Sequence, residues 1–134
     1  MKIQIVQLFD LELEILGGTV GEKTIVGLIN EELAFKDKHQ LQRVLKKLAE
    51  EKATYAESEK KLFTSLGAVE EEGQLVIKNK LEDGSDNPAL QKLAEERAGM
   101  LTQEIDLGEF KFNVDDFNFK SKSIYPVFMH VAFS

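Results

Sequence analysis

The sequence predicts an α+β fold: an antiparallel helical hairpin with a β-hairpin between its two helices, packed on a small C-terminal antiparallel sheet. Two stripes of helical period, over residues 39–66 and 88–104, flank a pair of short apolar runs centred on Gly73. Beyond Glu104 the hydrophobic period changes from helical to two. On a wheel of about 100° per residue, Leu41, Val44, Leu45, Leu48, Tyr55, Leu62, Phe63 and Leu66 share one face, with Lys52 and Glu59 inside it. Leu90, Leu93, Ala94 and Leu101 form the second stripe, interrupted by Arg97 and Glu104. Laid antiparallel with Leu66 opposite Leu90, the stripes match Phe63 with Leu93, Leu62 with Ala94, and Tyr55 with Leu101. The same register sets Glu59 against Arg97 and Lys52 against Glu104, a charge match that periodicity alone does not demand.

The elements follow in order. Residues 2–5 alternate polar and apolar and read as a short strand. Leu8, Leu11, Ile15 and Leu16 have helical spacing, and although Leu11, Leu13 and Ile15 also fit a strand, the Gly17-Gly18 pair favours a helix ending there. Thr24 can cap a second helix carrying Ile25, Val26, Leu28, Ile29 and Leu33, ending between Phe35 and Asp37, with Asp37 capping the long helix. Gly67 closes that helix. Residues 68–70 and 74–78 flank Glu71-Glu72-Gly73, which predicts a β-hairpin with Gly73 in the left-handed conformation. Residues 80–87 are loop, and Asn87 as N-cap with Pro88 at the first helical position starts the next helix. Ile105 and Leu107, then Phe110, Phe112 and Val114, then Phe117 and Phe119 predict strands broken by a bulge at Gly108 and a turn at Asp115-Asp116. The apolar run from Tyr125 to Phe133 is a strand or a docked helical turn, buried in either case.

At 134 residues the chain fits a single domain, 1–134, with helix, β-hairpin and helix over 39–104 and a strand-rich base over 105–134. A formal net charge of −7 argues against a general phosphate-backbone binder, so no nucleic-acid partner is expected. The charge is uneven. Lys38, Arg43, Lys46, Lys47, Lys52, Lys60 and Lys61 make the first long helix basic, while Glu70, Glu71, Glu72, Glu82, Asp83, Asp86, Asp106, Glu109, Asp115 and Asp116 make the rest acidic. Solvated faces account for this, and head-to-tail contact between copies is the sharper alternative. Cysteine is absent, which removes disulfides, thiolate chemistry and the usual zinc frameworks. The chain start has no long apolar region and residues 11–16 are too short to span a bilayer, so no membrane partner and a cytoplasmic setting are expected.

Candidate chemistry is sparse. Gly17-Gly18-Thr19-Val20-Gly21-Glu22-Lys23-Thr24 fits a phosphate loop except that Glu22 stands where a glycine must let backbone amides approach the phosphates. An ordinary glycine-rich turn fits better. His39 and His130 are far apart in sequence with no orienting partner at a diagnostic spacing; His39 reads as an exposed first-turn residue and His130 as a tail residue with its ring tucked against neighbours. Asp83-Gly84-Ser85-Asp86-Asn87 carries oxygen ligands without the alternation and distal Glu of a calcium loop. Glu59–Arg97 and Lys52–Glu104 serve register better than acid–base chemistry. Phe110, Phe112, Phe117 and Phe119 resemble a single-strand platform, but Glu109, Asp115 and Asp116 outweigh Lys111, Lys120 and Lys122 beside them. No catalytic, cofactor-binding or metal residue is assigned.

The order of a helix ending in Leu66-Gly67, then Glu71-Glu72-Gly73-Gln74-Leu75-Val76-Ile77, an Asn87-Pro88-led helix, and Gln103-Glu104-Ile105-Asp106-Leu107 resembles short uncharacterised proteins of tailed bacteriophages and prophages. That resemblance implies a phage setting in a bacterial host, no settled activity, and a structural role in virion assembly with itself or another phage protein as partner. A second resemblance, to prefoldin subunits with paired helices joined by β-hairpins, is weakened by the shorter second helix. The expected function is therefore non-enzymatic structural or assembly interaction with self-association through the strand-rich end. A binding module, either a prefoldin-like holdase or an acidic inhibitor of a host enzyme, is the alternative.

Overall fold

The computed structural model describes residues 1–117 and 124–133. The fold is α+β, and the chain divides into two compact units, residues 1–51 with 104–134 and residues 52–103. The first unit opens with strand β1 (Lys2–Gln4), followed directly by helix α1 (Ile5–Leu16), whose start is tied by the Gln4 N–H donating to Gln7 Oε1 at 2.9 Å. Leu8, Leu11 and Ile15 recur on one face of α1 and are fully buried. A β-hairpin follows, β2 (Gly17–Val20) against β3 (Lys23–Val26), and then a 3-10 turn at Leu28–Asn30. The long helix α2 runs over Phe35–Ser65, and its first part places Leu41, Val44 and Leu48 in the same core.

In the second unit, α2 ends in a Schellman closure: the Gly67 N–H donates to Thr64 O at 3.2 Å and the Ala68 N–H to Phe63 O at 3.0 Å. Strands β4 (Val69–Glu71) and β5 (Gln74–Val76) pair through a two-residue loop, with Glu72 at φ 51° and Gly73 at φ 81°. Positive φ at both loop positions suits the right-handed twist of the strands. The 77–87 loop is closed by a bridge and an ion pair between Lys80 and Asp86. Asn87 starts helix α3 (Ala89–Leu101), its Oδ1 accepting the Ala89 N–H at 3.0 Å. Along α3, Leu93 is buried and Leu90, Arg97, Met100 and Leu101 are half-buried; along α2, Tyr55, Glu59, Leu62 and Phe63 are half-buried, as is Leu66 just past its end. Arg97 Nη2 lies 3.2 Å from Glu59 Oε2, which also accepts the Tyr55 hydroxyl at 3.0 Å. The expected register is met at Glu59–Arg97, whereas α3 ends at Leu101 and Glu104, expected opposite Lys52 on the second stripe, stands in strand β6 (Glu104–Asp106); Ala94 is exposed and Met100 takes a place on the stripe.

Back in the first unit, β6 (Glu104–Asp106) pairs antiparallel with β1, Ile3 opposite Ile105. The pairing is extended by the Leu107 N–H donating to Met1 O and the Met1 amino group donating to Gly108 O, both at 2.8 Å. Helix α4 (Pro126–Phe133) resolves the open alternative for the apolar run in favour of helix. Phe112, Phe117, Phe128 and Phe133 form a ring cluster, with Phe117 and Phe128 at 5.1 Å and Phe112 and Phe128 edge-on at 5.2 Å.

Three sequence expectations need correction. Residues 24–33 are not a helix: Ile25 and Val26 pair with Gly18 and Gly17, and Gly27 crosses α1 so closely that a Cβ there would sit 2.3 Å from the Leu16 carbonyl carbon. The chain needs extended backbone and a glycine at that crossing. The long helix starts at Phe35, so Asp37 is a first-turn residue and not its cap; its N–H donates to Ala34 O at 3.0 Å. The strand-rich base is only partly strand, because beyond β6 the aromatic segment is irregular and then a 3-10 turn at Val114–Phe117. Local side-chain acceptors compete with a ladder there: Asp106 Oδ1 takes the Gly108 N–H at 2.9 Å and Asn113 Oδ1 the Asp115 N–H at 3.1 Å. The expected strand position of Phe119, and Lys120 and Lys122 beside it, lie outside the described residues.

Candidate interaction surface

An apolar recess of about 800 Å³ in the first unit lies among α1, β3 and the approach to α4. Because Leu8, Leu11 and Ile15 face the core, Asp10 and Leu13 come to the rim of this recess. β3 supplies Lys23, Thr24, Ile25 and Val26, and Ile124, Pro126 and Val127 form the third wall. Ile124 is 76 % exposed, a high value for an isoleucine, and Val26, Val20 and Leu16 nearby are exposed as well. Sheet β2–β3 has no third strand among the described residues, so its outer edges carry no ladder partner there.

The floor is held by two buried polar groups. Glu14 accepts the Val127 N–H at 3.1 Å and the Phe128 N–H at 2.9 Å, satisfying two amides of the first turn of α4 that no intrahelical carbonyl can reach. Burial pushes the Glu14 carboxyl above its ordinary range; the two hydrogen bonds pull the other way, and the Asp10 charge adds to the rise. Tyr125, 5 % exposed, turns its hydroxyl onto the Val26 carbonyl at 2.5 Å and Glu31 Oε1 at 2.9 Å. Its single proton serves two acceptors. Together Glu14 and Tyr125 fix α4 against α1 and β3, and so set the walls of the recess.

The residues singled out from sequence are dispersed. Gly17 to Thr24 form the β2–β3 hairpin, and Lys23 and Thr24 lie in a strand instead of opening a helix, so the helix N-terminus that cradles phosphate in such loops is missing here. His39 is exposed and stacked on Phe35, ring centroids 5.8 Å apart. His130 is exposed, not tucked in, because α4 turns Phe128 and Val131 inward instead. Asp83 accepts the Ser85 N–H at 2.9 Å and the Ser85 hydroxyl at 2.5 Å, which holds its carboxyl below the usual range, and Asp86 pairs with Lys80. That loop's carboxylates are committed to its own turn. Phe112 and Phe117 belong to the ring cluster, and Phe110 lies under the Arg43 guanidinium at 5.5 Å. Among the described residues no group of three or more acidic or histidine side chains could hold a metal ion, and no helix is long and apolar enough to cross a membrane.

Sequence reasoning missed Glu14, Tyr125 and Glu31. A signal for Glu14 was present: it sits one residue before Ile15 on the apolar face of α1, a charge inside a stripe that would otherwise be aliphatic. Comparison with protein families, curated sequences and solved structures finds no match to the chain.

Proposed function

We propose that this chain is a non-enzymatic structural protein that assembles with further copies of itself through the recess of its first unit. The observation that carries this reading is the make-up of that surface: an apolar centre of Ile25, Val26, Ile124 and Val127 flanked by one acidic and one basic side chain, Asp10 and Lys23. A two-fold interface must be complementary to itself, and a patch with both signs at its rim lets Asp10 of one copy meet Lys23 of the other about an apolar seam. A partner recognised by one sign of charge would not call for that arrangement. The resemblance to short tailed-phage and prophage proteins supplies the setting, virion assembly in a bacterial host. Sedimentation and light scattering of the purified chain up to millimolar concentration test the reading. A dimer or larger species is expected, and Ile124→Asp or Val26→Asp should return it to monomer; a strictly monomeric wild type would sink the proposal.

The acidic tip of the second unit favours one competing reading. Val69, Glu70, Glu71, Glu72, Gly73 and Gln74 are all exposed, which presents three successive carboxylates at a hairpin turn, a shape suited to an acidic inhibitor of a host enzyme. Capture from host lysate separates the two: one stoichiometric host enzyme, lost on Glu70→Lys with Glu72→Lys, supports the inhibitor, and recovery of the chain's own copies supports assembly.

A further inference from the structure

We propose that the acidic β4–β5 turn of one copy of this chain docks into a basic groove on the first unit of another, a transient head-to-tail contact that goes beyond the apolar recess and does not depend on it. The groove, about 620 Å³, lies between α2 and the segment that follows β6. Arg43, Lys46 and Lys47 line one side, and Gly108, Glu109 and Phe110 line the other. At about 3.6 residues per turn, Lys36, Arg43, Lys46 and Lys47 fall within about 100° of arc, turned away from the buried Leu41, Val44 and Leu48, so the groove is the end of a longer basic stripe. Lys36, Arg43 and Lys46 are exposed. Arg43 is held in place: its Nη1 donates to Gln40 Oε1 at 3.2 Å, and its guanidinium lies 5.5 Å from the centre of the Phe110 ring. A guanidinium presents its N–H donors in a planar fork that matches a carboxylate, and one fixed before binding loses little freedom when it pairs.

Charge and shape name the occupant. Glu70, Glu71 and Glu72 follow one another at the turn, all exposed, and the chain has no lysine or arginine between Lys61 and Lys78 to balance them. The two-residue loop gives the hairpin a narrow end that can enter an open groove. The groove's own acids are partly engaged: Asp106 Oδ1 accepts the Gly108 N–H at 2.9 Å, and Glu50 lies 3.7 Å from Lys47. A nucleic acid is the other polyanion that a basic stripe suggests, but a chain of net charge −7 repels a long phosphate backbone. A second copy is acidic too, yet salt screens that repulsion beyond about 10 Å while pairs in contact persist. Turn and groove are different surfaces, so the contact does not close on itself, and each bound copy still offers one of the two. One turn covers far less area than a standard interface, which makes the contact weak and calls for trapping it.

The test mixes intact chains of natural and heavy-nitrogen isotope composition at about 0.1 M salt, joins touching carboxylates and amines with a zero-length carbodiimide, and reads the joined peptides by mass spectrometry. Peptides carrying both isotopes should join residues 70–72 to Lys46 or Lys47. They should form equally in wild type and in Ile124→Asp, so a failure of the recess reading leaves this result standing. Arg43→Glu keeps both lysines reactive and should lower the mixed-isotope yield about tenfold. Glu70→Lys with Glu72→Lys should do the same, although it makes the chain less negative and so weakens the general repulsion between copies. Mixing those two variants should restore the yield, since each supplies the half that the other lacks. Joined peptides of one isotope only, a yield indifferent to Arg43→Glu, or no recovery on mixing overturns the proposal. So does loss of the signal after nuclease treatment, because it would put a nucleic acid between the copies. Should Arg43→Glu fail to fold, the turn variant and the mixed-isotope peptides decide.

Discussion

Glu14 shows how one side chain can join distant parts of the chain. It closes the start of α4 from α1, more than a hundred residues earlier, and does so as a buried carboxylate whose ionised form is opposed by desolvation and favoured by two amides. Glu14→Ala strips both acceptors and should cost about 2–3 kcal/mol in chemical denaturation, more than a typical surface change. The sign with pH is set by the upward displacement of its carboxyl. The group's contribution to stability is complete below the ordinary glutamate range and is lost as pH rises through the raised folded value, so Glu14→Gln should flatten that limb of the stability profile. Unfolding free energies measured at several pH values check both outcomes.

At the level of elements, the charged pair inside the helical stripes is the sharpest test of register. Arg97 is 43 % and Glu59 29 % exposed, so solvent screens their attraction and the pair contributes on the order of 0.5–1 kcal/mol. Arg97→Glu should cost about that much or somewhat more through like-charge contact, and Glu59→Arg added to it should restore most of the loss, as a double-mutant cycle will reveal. That contact was legible because Glu59 and Arg97 interrupt the two stripes at matching positions; the second expected match, Lys52 with Glu104, failed because α3 ends at Leu101 and Glu104 enters β6. The β4–β5 hairpin was legible for a related reason, since Glu72-Gly73 combines a loop-favouring glycine with flanking alternation. The misassigned elements were those decided by contacts remote in sequence. Ile25 and Val26 have helical spacing with Leu28 and Ile29, but Gly27 must pass beside Leu16, which only the fold reveals. The aromatic residues after Gly108 alternate like strands, yet what orders them is ring contact with α4 and side-chain caps from Asp106 and Asn113. The recess was invisible for the same reason: its walls come from three separated segments, and no motif connects them.

For the molecule as a whole, burial is unequally divided between the units. The fully buried aliphatic side chains Leu8, Leu11, Ile15, Leu28, Leu41, Val44 and Leu48 all lie in the first unit, whereas Ile77 and Leu93, each 8 % exposed, are the buried apolar residues described in the second. Local stability follows buried apolar area, so the second unit should open at lower free energy. Native-state hydrogen exchange is expected to release the amides of β4, β5 and α3 well before those of α1 and the first part of α2; uniform protection would contradict it. The pairing of β1 with β6 carries a further implication for biosynthesis. Residues 2–4 are translated some hundred residues before their hydrogen-bonding mates in β6, and α1 must wait longer still for the helix whose amides Glu14 receives. Such a unit closes its core late in synthesis, and its first segments stay without their partners until the residues of β6 and α4 have been made.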